Sequence, residues 1–543
     1  MKRRSLIKGT LTGAASLYLA KLQAQTIGSG LAYDGMAKGP FLPSWNSLEQ
    51  YQVPDWFRDA KFGLWAHWGP QCQPEYGDWY AKGMYEEGSS AYKYHLKTYG
   101  HPSKFGFKDV INEWKADKWD PAELVSLYKE AGAKYFVALA NHHDNFDLYP
   151  NKYQKWNSTN IGPKKDLIKG WEKAARDNGL RFGVSVHAAH AWTWYEPSQG
   201  ADKTGPMAGV HYDGNIQKGD GKGKWWEGYD PQELYSQRHP LSVPYKDGLQ
   251  QWDWKDGASI PSKAYNEKFL KRTLALLDNY DPDLVYFDDT ALPLWPVSDV
   301  GLKIAAHMYN NSLKKHGKME AVITGKILDE QQRKCIVWDI ERGHSNRIEP
   351  LPWQTCTCIG NWHYDKRVYE GNKYKSAATV VHMLADVVSK NGNLLLSVPV
   401  KGNGTIDEKE RAIVQQITAW TKQNGEAIYG TRPWKVFGEG PAMENVKPLK
   451  EQGYNEGTVY KAGDIRFTTK NNALYAILLG WPQDGNQINI KSVGAGGKVE
   501  KVTLIANGSS LKFEQSGQGL KVQLPAEAPG TMAYVLKIEG AVV

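Results

Sequence analysis

Eight apolar runs of strand character, separated for the most part by amphipathic helical stretches, limit what this chain can fold into more than any other feature. They are KFGLWAHWG (61–69), KYFVALANHHD (134–144), RFGVSVHAAHAW (181–192), LVYFDD (284–289), EAVITG (320–325), CIVWDIERG (335–343), TCTCIGNW (355–362) and NLLLSVPV (393–400). Helical patterns lie between them, such as PAELVSLYKEAGA (121–133), DLIKGWEKAARDNG (166–179) and SKAYNEKFLKRTLALLDNY (262–280), with others over 301–316 and 376–390. Strands that are apolar throughout and alternate with helices belong to parallel sheets with helices on their faces. Eight such units predict an α/β fold, a TIM-like (β/α)8 barrel, over residues 40–432. The connection between the sixth and seventh runs is short and has no clear helix, so the barrel is expected to be irregular there.

Two stretches fall outside this pattern. Residues 196–260, rich in Gly, Lys and aromatics, interrupt it and read as a long loop over the barrel mouth. After Trp434 the runs become short and alternating, as in DIRFTT (464–469), ALYAILLG (473–480), KVTLIA (501–506) and MAYVLKIEG (532–540). That is a C-terminal β-sandwich over 433–543, expected to pack on the barrel rather than to bind sugar.

The first 25 residues have a basic start, a weakly apolar stretch and a small-residue exit near Ala24, with Arg3-Arg4 in a twin-arginine-like setting. They read as a bacterial export signal, to the periplasm or beyond, and not as a membrane span or lipid anchor. The formal net charge of +8 falls to +3 once Lys2, Arg3, Arg4, Lys8 and Lys21 are set aside. That balance, with no basic run interleaved with aromatics, excludes a nucleic-acid partner. The four cysteines read as buried thiols, not as a disulfide framework or a zinc site. The 22 Trp and 30 Tyr supply flat faces of the kind that stack on sugars.

Polar residues gather at the C-terminal ends of the apolar runs: His67, His142, His143, His187, Asp288, Glu341 and Trp362. Barrel enzymes place their chemistry at that rim. A carboxylate ending a strand, such as Asp288, suits attack on a sugar carbon, and glycoside hydrolysis needs a second carboxyl as the acid. Glu341 is the first candidate for it and Glu349 the second. The same histidines with Asp288 would also suit a metal-dependent hydrolase, but adjacent residues of a strand face opposite ways, which weakens His142 and His143 as a metal pair. A carbohydrate-binding protein without catalysis is the third class.

At these residues the chain resembles glycoside hydrolase family 29, the α-L-fucosidases. The matching stretches are WFRDAKFGLWAHWG (56–69), NHHDNF (141–146), WNSTNIGPKKDL (156–167), YFDD (286–289), DVVSKNGNLLLSVPVKGNGTID (386–407) and NGEAIYGT (424–431). The resemblance implies a barrel with a C-terminal β-domain, and retaining hydrolysis without cofactor or metal. Its substrate would be a fucosylated oligosaccharide or polysaccharide, or a glycoside of a fucose-like sugar such as galactose. It implies Asp288 as nucleophile, and His67, His142 and His143 as ligands of the fucose hydroxyls. Trp79 and Tyr80 fall on a segment near the sugar, and Arg342 and Trp362 complete the expected binding set. Four positions depart from the family pattern: Asp78 replaces a glutamate, Asn141 a lysine, DIERG the usual NDRWG, and Gln354 a glutamate carried by many relatives. The acid/base assignment to Glu341 is therefore a bet on this chain's own residues. Linkage and oligomeric state stay open.

Overall fold

The structure is a computed structural model, which describes residues 35–243, 252–443, 449, 453–483, 486–494 and 497–540. The expected export signal lies outside them. Eight parallel strands close into a barrel: β1 (Phe62–Ala66), β2 (Tyr135–Asn141), β3 (Arg181–Val186), β4 (Leu284–Thr290), β5 (Val322–Lys326), β6 (Val337–Glu341), β7 (Trp353–Cys358) and β8 (Gly392–Ser397). β1 pairs with both β2 and β8, which completes the ring.

Six long helices wrap it: α1 (Pro121–Glu130), α2 (Leu167–Asp177), α3 (Lys263–Tyr280), α4 (Val300–His316), α5 (Ala377–Ser389) and α6 (Glu408–Asn424). Asp120, Asp166, Ser262, Ser376 and Asp407 cap the first, second, third, fifth and sixth with side-chain oxygens. The link from β6 to β7 has no helix, and that from β5 to β6 has only the four residues Gln332–Cys335. The barrel is thus irregular on this side.

Residues 196–243 are more structured than a loop. Short helices such as Asp213–Asn215 and Gln232–Tyr235 bury Tyr212, Trp226, Leu234 and Tyr235 against the barrel core. The Tyr85 hydroxyl donates to Asp213 at 2.7 Å, and Lys108 pairs with the same carboxylate at 2.9 Å.

The C-terminal strands form two antiparallel sheets. One holds β9 (Arg432–Glu439), β10 (Ile465–Lys470), β11 (Ala473–Leu478), β13 (Val499–Leu504), β14 (Ser509–Ser510) and β17 (Tyr534–Gly540). The other holds β12 (Gln487–Ile490), β15 (Phe513–Ser516) and β16 (Gly519–Gln523). Alternation along β11 assigns its two faces. Leu474, Ala476 and Leu478 join Ile488, Ile490, Leu520 and Val522 in the core between the sheets. Ala473, Tyr475 and Ile477 join the barrel's core instead.

One buried ion pair fixes the turn after β2. Arg272 on α3 reaches Asp147 at 2.6 Å and Asn145 at 2.5 Å, and Asn141 donates to the same aspartate at 3.0 Å. Both charges are almost fully out of water, so removing one strands the other. Arg272→Ala should cost about 3–5 kcal/mol of stability, read as a lowered denaturation midpoint. A midpoint unchanged from wild type would contradict this account of the turn.

Candidate active site

The rim layer of the barrel is built by steps of two residues along three strands. Tyr286, Thr324 and Asp339 are buried in the barrel. Two residues further along the same strands come Asp288, Lys326 and Glu341, on the same face and one layer higher. Lys326 Nζ touches both Asp288 Oδ1 and Glu341 Oε2. A single ammonium thus bridges two carboxyls, and closely spaced carboxyls are what a retaining glycosidase needs.

Asp288 is the best-served group of the site. Its Oδ2 meets His187 Nδ1 at 3.0 Å and His143 Nε2 at 3.2 Å, and its side chain keeps 23% exposure toward the mouth. Burial works against its charge, but the Lys326 ammonium and the two histidines outweigh burial and hold its carboxyl well below the usual range. Burial likewise opposes the charge of Lys326, and Asp288 and Glu341 together push its pKa well above the usual value.

The hydrogen-bond network assigns the imidazoles. His143 Nδ1 lies 2.7 Å from the His187 carbonyl, which can only accept. Its Nε2 contact with Asp288 is then a hydrogen bond only when both ring nitrogens carry protons. His187 gives its Nδ1 proton to Asp288, which leaves Nε2, buried and without a protein partner, as an acceptor. Burial brings its pKa down to about 4. Gln71 Nε2 donates to His142 Nδ1 at 2.8 Å, so His142 presents Nε2–H as a donor. Neither ring nitrogen of His67 has a protein partner. Burial, followed by neighbouring imidazoles, holds His67 and His142 well below the usual histidine range, so both are neutral near pH 7.

β2 ends at Asn141, so His142 and His143 sit in the turn that follows and not in the strand. Strand alternation does not apply to them, and both rings enter the same pocket, 4.5 Å apart between centroids. This overturns the argument that set them on opposite faces. Two groups of imidazoles have ligand nitrogens within 4.8 Å of one another: His67, His142 and His363, and His142, His143 and His187.

Aromatics complete the pocket. Trp362 packs 5.5 Å from the His67 ring and 5.3 Å from that of Trp65. Trp252, from the inserted region, lies 5.0 Å from His143, 4.6 Å from His190 and 5.6 Å from the exposed ring of Trp79. Asp78 holds the Trp362–His363 turn, accepting from the backbone nitrogens of Trp362 at 3.2 Å and His363 at 2.6 Å.

Other residues expected at the site lie elsewhere or serve the frame. The Tyr80 hydroxyl is buried on His95 at 2.7 Å, so it has no free group for a sugar. Glu349 is taken up by Ser345 at 2.6 Å, Arg347 at 3.2 Å and Arg333 at 3.5 Å, away from Asp288. Arg342 is turned onto Glu456 at 2.8 Å. Gln354, where many relatives carry a glutamate, is buried in the barrel between Tyr135 (2.9 Å) and Asp339 (2.9 Å). It is level with Asp339 in the strand register, one layer below Glu341. Two further tryptophans near the rim also serve the frame: Trp192 stacks on His239 at 4.0 Å, and Trp194 is fully buried behind His142 and His143.

Sequence reasoning did not assign Lys326, His363 or Trp252 to the site. For Lys326 a signal exists, a lysine closing the apolar run EAVITG. The others come together only through the fold.

The chain matches the α-L-fucosidase family model over residues 32–426 and the model of the α-L-fucosidase C-terminal domain over residues 460–539. It is 26% identical over 524 residues to tissue α-L-fucosidase of Rattus norvegicus, covering 93% of this chain and 94% of that protein. To the α-L-fucosidase of Branchiostoma floridae it is 25% identical over 520 residues, covering 92% and 96%. The crystal structure of Thermotoga maritima α-fucosidase in complex with fucose superposes with a TM-score of 0.67 at 26% identity, covering 92% of this chain and all of the other. A closed barrel with a carboxylate pair at its rim, an appended antiparallel domain and two family matches over most of the length lead to one conclusion: this chain belongs to the α-L-fucosidase family.

Proposed function

We propose that this chain is an exo-acting, retaining α-L-fucosidase that removes terminal α-L-fucose from fucosylated oligosaccharides or polysaccharides. Asp288 is the nucleophile and Glu341 the acid/base. The observation that carries this reading is the Lys326 ammonium bridging the two carboxyls at the barrel rim.

With one ammonium for two carboxyls, the trio is neutral when one carboxyl holds a proton. Asp288 has His143 and His187 in addition to Lys326, so negative charge concentrates there, and the role of proton donor is left to Glu341. Asp288 attacks the anomeric carbon while Glu341 protonates the departing glycosidic oxygen. The glycosyl-enzyme is then opened by a water whose proton Glu341 takes back. Two displacements at one carbon return the original anomeric configuration.

His67, His142, His143 and His187 offer donors and acceptors a few ångströms apart, as the hydroxyls of one pyranose require. The groups of imidazoles that could hold a metal use these same nitrogens. The metal-hydrolase reading therefore competes with sugar binding for the same atoms. The names of the relatives favour fucose over a galactose-like sugar. Trp252 and Trp79 roof the pocket, which suits a chain end over an internal residue. Among the described residues no helix is long and apolar enough to cross a membrane. The composition of residues 1–25 supports export to a periplasmic or extracellular space of a bacterium.

Asp288→Gly should lower turnover of an aryl α-L-fucoside by about 10³-fold or more. Added azide should restore aglycone release with β-L-fucosyl azide as product. Azide without effect, or azide giving the α-anomer, would count against Asp288 as the nucleophile.

Glu341→Ala and Glu349→Ala separate the two candidate acids. Loss of the acid slows substrates with poor leaving groups by about 10²–10⁴-fold and spares good ones. The pattern should appear for Glu341 alone, and its appearance for Glu349 would reverse the assignment.

Lys326→Met removes the charge that favours ionised Asp288. Its pKa rises, so the acidic limb of the kcat/KM profile moves to higher pH, and kcat falls by about 10²-fold. An unmoved limb would show that Lys326 does not set the ionisation of the nucleophile.

A further inference from the structure

Residues 427–459 lie between the two family matches. Part of this stretch reaches back to the catalytic rim. Gly453 forms a parallel bridge with Glu341, Tyr454 N donates to the Glu341 carbonyl at 2.9 Å, and Glu456 N donates to the Arg342 carbonyl at 3.1 Å. Asn455 holds both sides of the His344 backbone, accepting from its nitrogen at 2.9 Å and donating to its carbonyl at 3.1 Å. Glu456 then closes the contact on Arg342 at 2.8 Å, Lys375 at 3.0 Å and Thr357 at 2.7 Å. The segment is in effect a short extra strand laid along the end of β6, beside the proposed acid.

The backbone is shaped for this approach. Gly453 has φ +90°, and a Cβ there would fall 2.1 Å from the Glu341 carbonyl oxygen. Gly343 leaves room from the other side, since a Cβ on it would meet Asn455 Oδ1 at 2.2 Å. Tyr454 and Arg342 both hold left-handed φ values, 56° and 47°. Such values cost a non-glycine residue energy and persist only where surrounding contacts impose them. The outcome is a tyrosine 57% exposed, whose backbone is fixed to that of Glu341.

A retaining enzyme has its acid on the side from which the leaving group departs. A partly exposed ring beside that acid faces the leaving group and not the fucose. We propose that Gly453–Glu456 forms the leaving-group wall of the site, and that Tyr454 selects the aglycone, contacting the sugar ring next to fucose while its hydroxyl positions Glu341. This rests on the assignment of Glu341 as the acid and on the fucosidase reading.

The test compares two substrates with full-length protein. α-L-Fucosyl fluoride has no leaving-group ring and leaves without a proton. An α-L-fucosyl disaccharide, chosen as the linkage wild type cleaves fastest, has both needs. Tyr454→Ala should lose kcat/KM on the disaccharide by about 10–100-fold more than on the fluoride. Tyr454→Phe, which keeps the ring, should recover most of the disaccharide KM and retain a kcat defect. Gly453→Ala should reproduce the disaccharide-selective loss with an intact Tyr454. Equal losses on both substrates, or none, with active wild type overturn the leaving-group wall and leave the fucosidase reading standing. Wild type inert toward fucosyl fluoride overturns both.

Discussion

A parallel sheet of eight strands has two raw edges until its first strand pairs with its last. Here β1 closes on β8, and everything functional depends on that closure. It removes the unpaired edges, forces every strand to end at one rim and lets steps of two residues stack side chains in layers. Asp288, Lys326 and Glu341 are not neighbours in any local sense, successive members being 38 and 15 positions apart in the chain. They meet because three adjacent staves end at one height. The helix-poor links from β5 to β7 lie on the side where the acid and the leaving-group segment sit.

Electrostatics inside that ring follow from how little water reaches it. Burial holds His67, His142 and His187 neutral, which suits hydroxyl recognition, since a neutral ring can both donate and accept a hydrogen bond. Charge gathers at Asp288, whose carboxyl faces Lys326, His187 and His143 together. Negative charge thus gathers on the atom that attacks, while neutral donors and acceptors line the space for the sugar. Asp288 and Glu341 share Lys326, so the ordering is set by His143 and His187, which face Asp288 alone.

Much of the architecture was legible because of where its strands are buried. Barrel strands covered on both faces leave continuous apolar runs, and sandwich strands with two different faces leave alternation, so both units could be read without contacts. Several members of the site could be read as a group for a related reason: polar side chains at the end of an apolar run have no structural motive. The rest depended on information that periodicity does not carry. The run ending at Gly325 hid Lys326, since a lysine after a strand looks like an ordinary solvated end. His142 and His143 appeared to alternate because the sequence does not reveal that β2 stops at Asn141. Tyr80 matched a motif by position, yet its hydroxyl is spent on His95. Glu349 is consumed by arginines. Trp252 and Tyr454 belong to the pocket by topology alone, brought from an insertion and from beyond the barrel.

The cysteines have a consequence of a different kind. All four are free and buried, with burial pushing the thiols of Cys72, Cys335 and Cys358 up to about 12 and that of Cys356 well above its usual range. At neutral pH they stay protonated, so they are poor nucleophiles and poor targets for oxidants. The fold therefore needs no oxidant to form and no reductant to persist. A chain of this kind can fold in a reducing compartment and work in an oxidising one without any of its sulfur changing state.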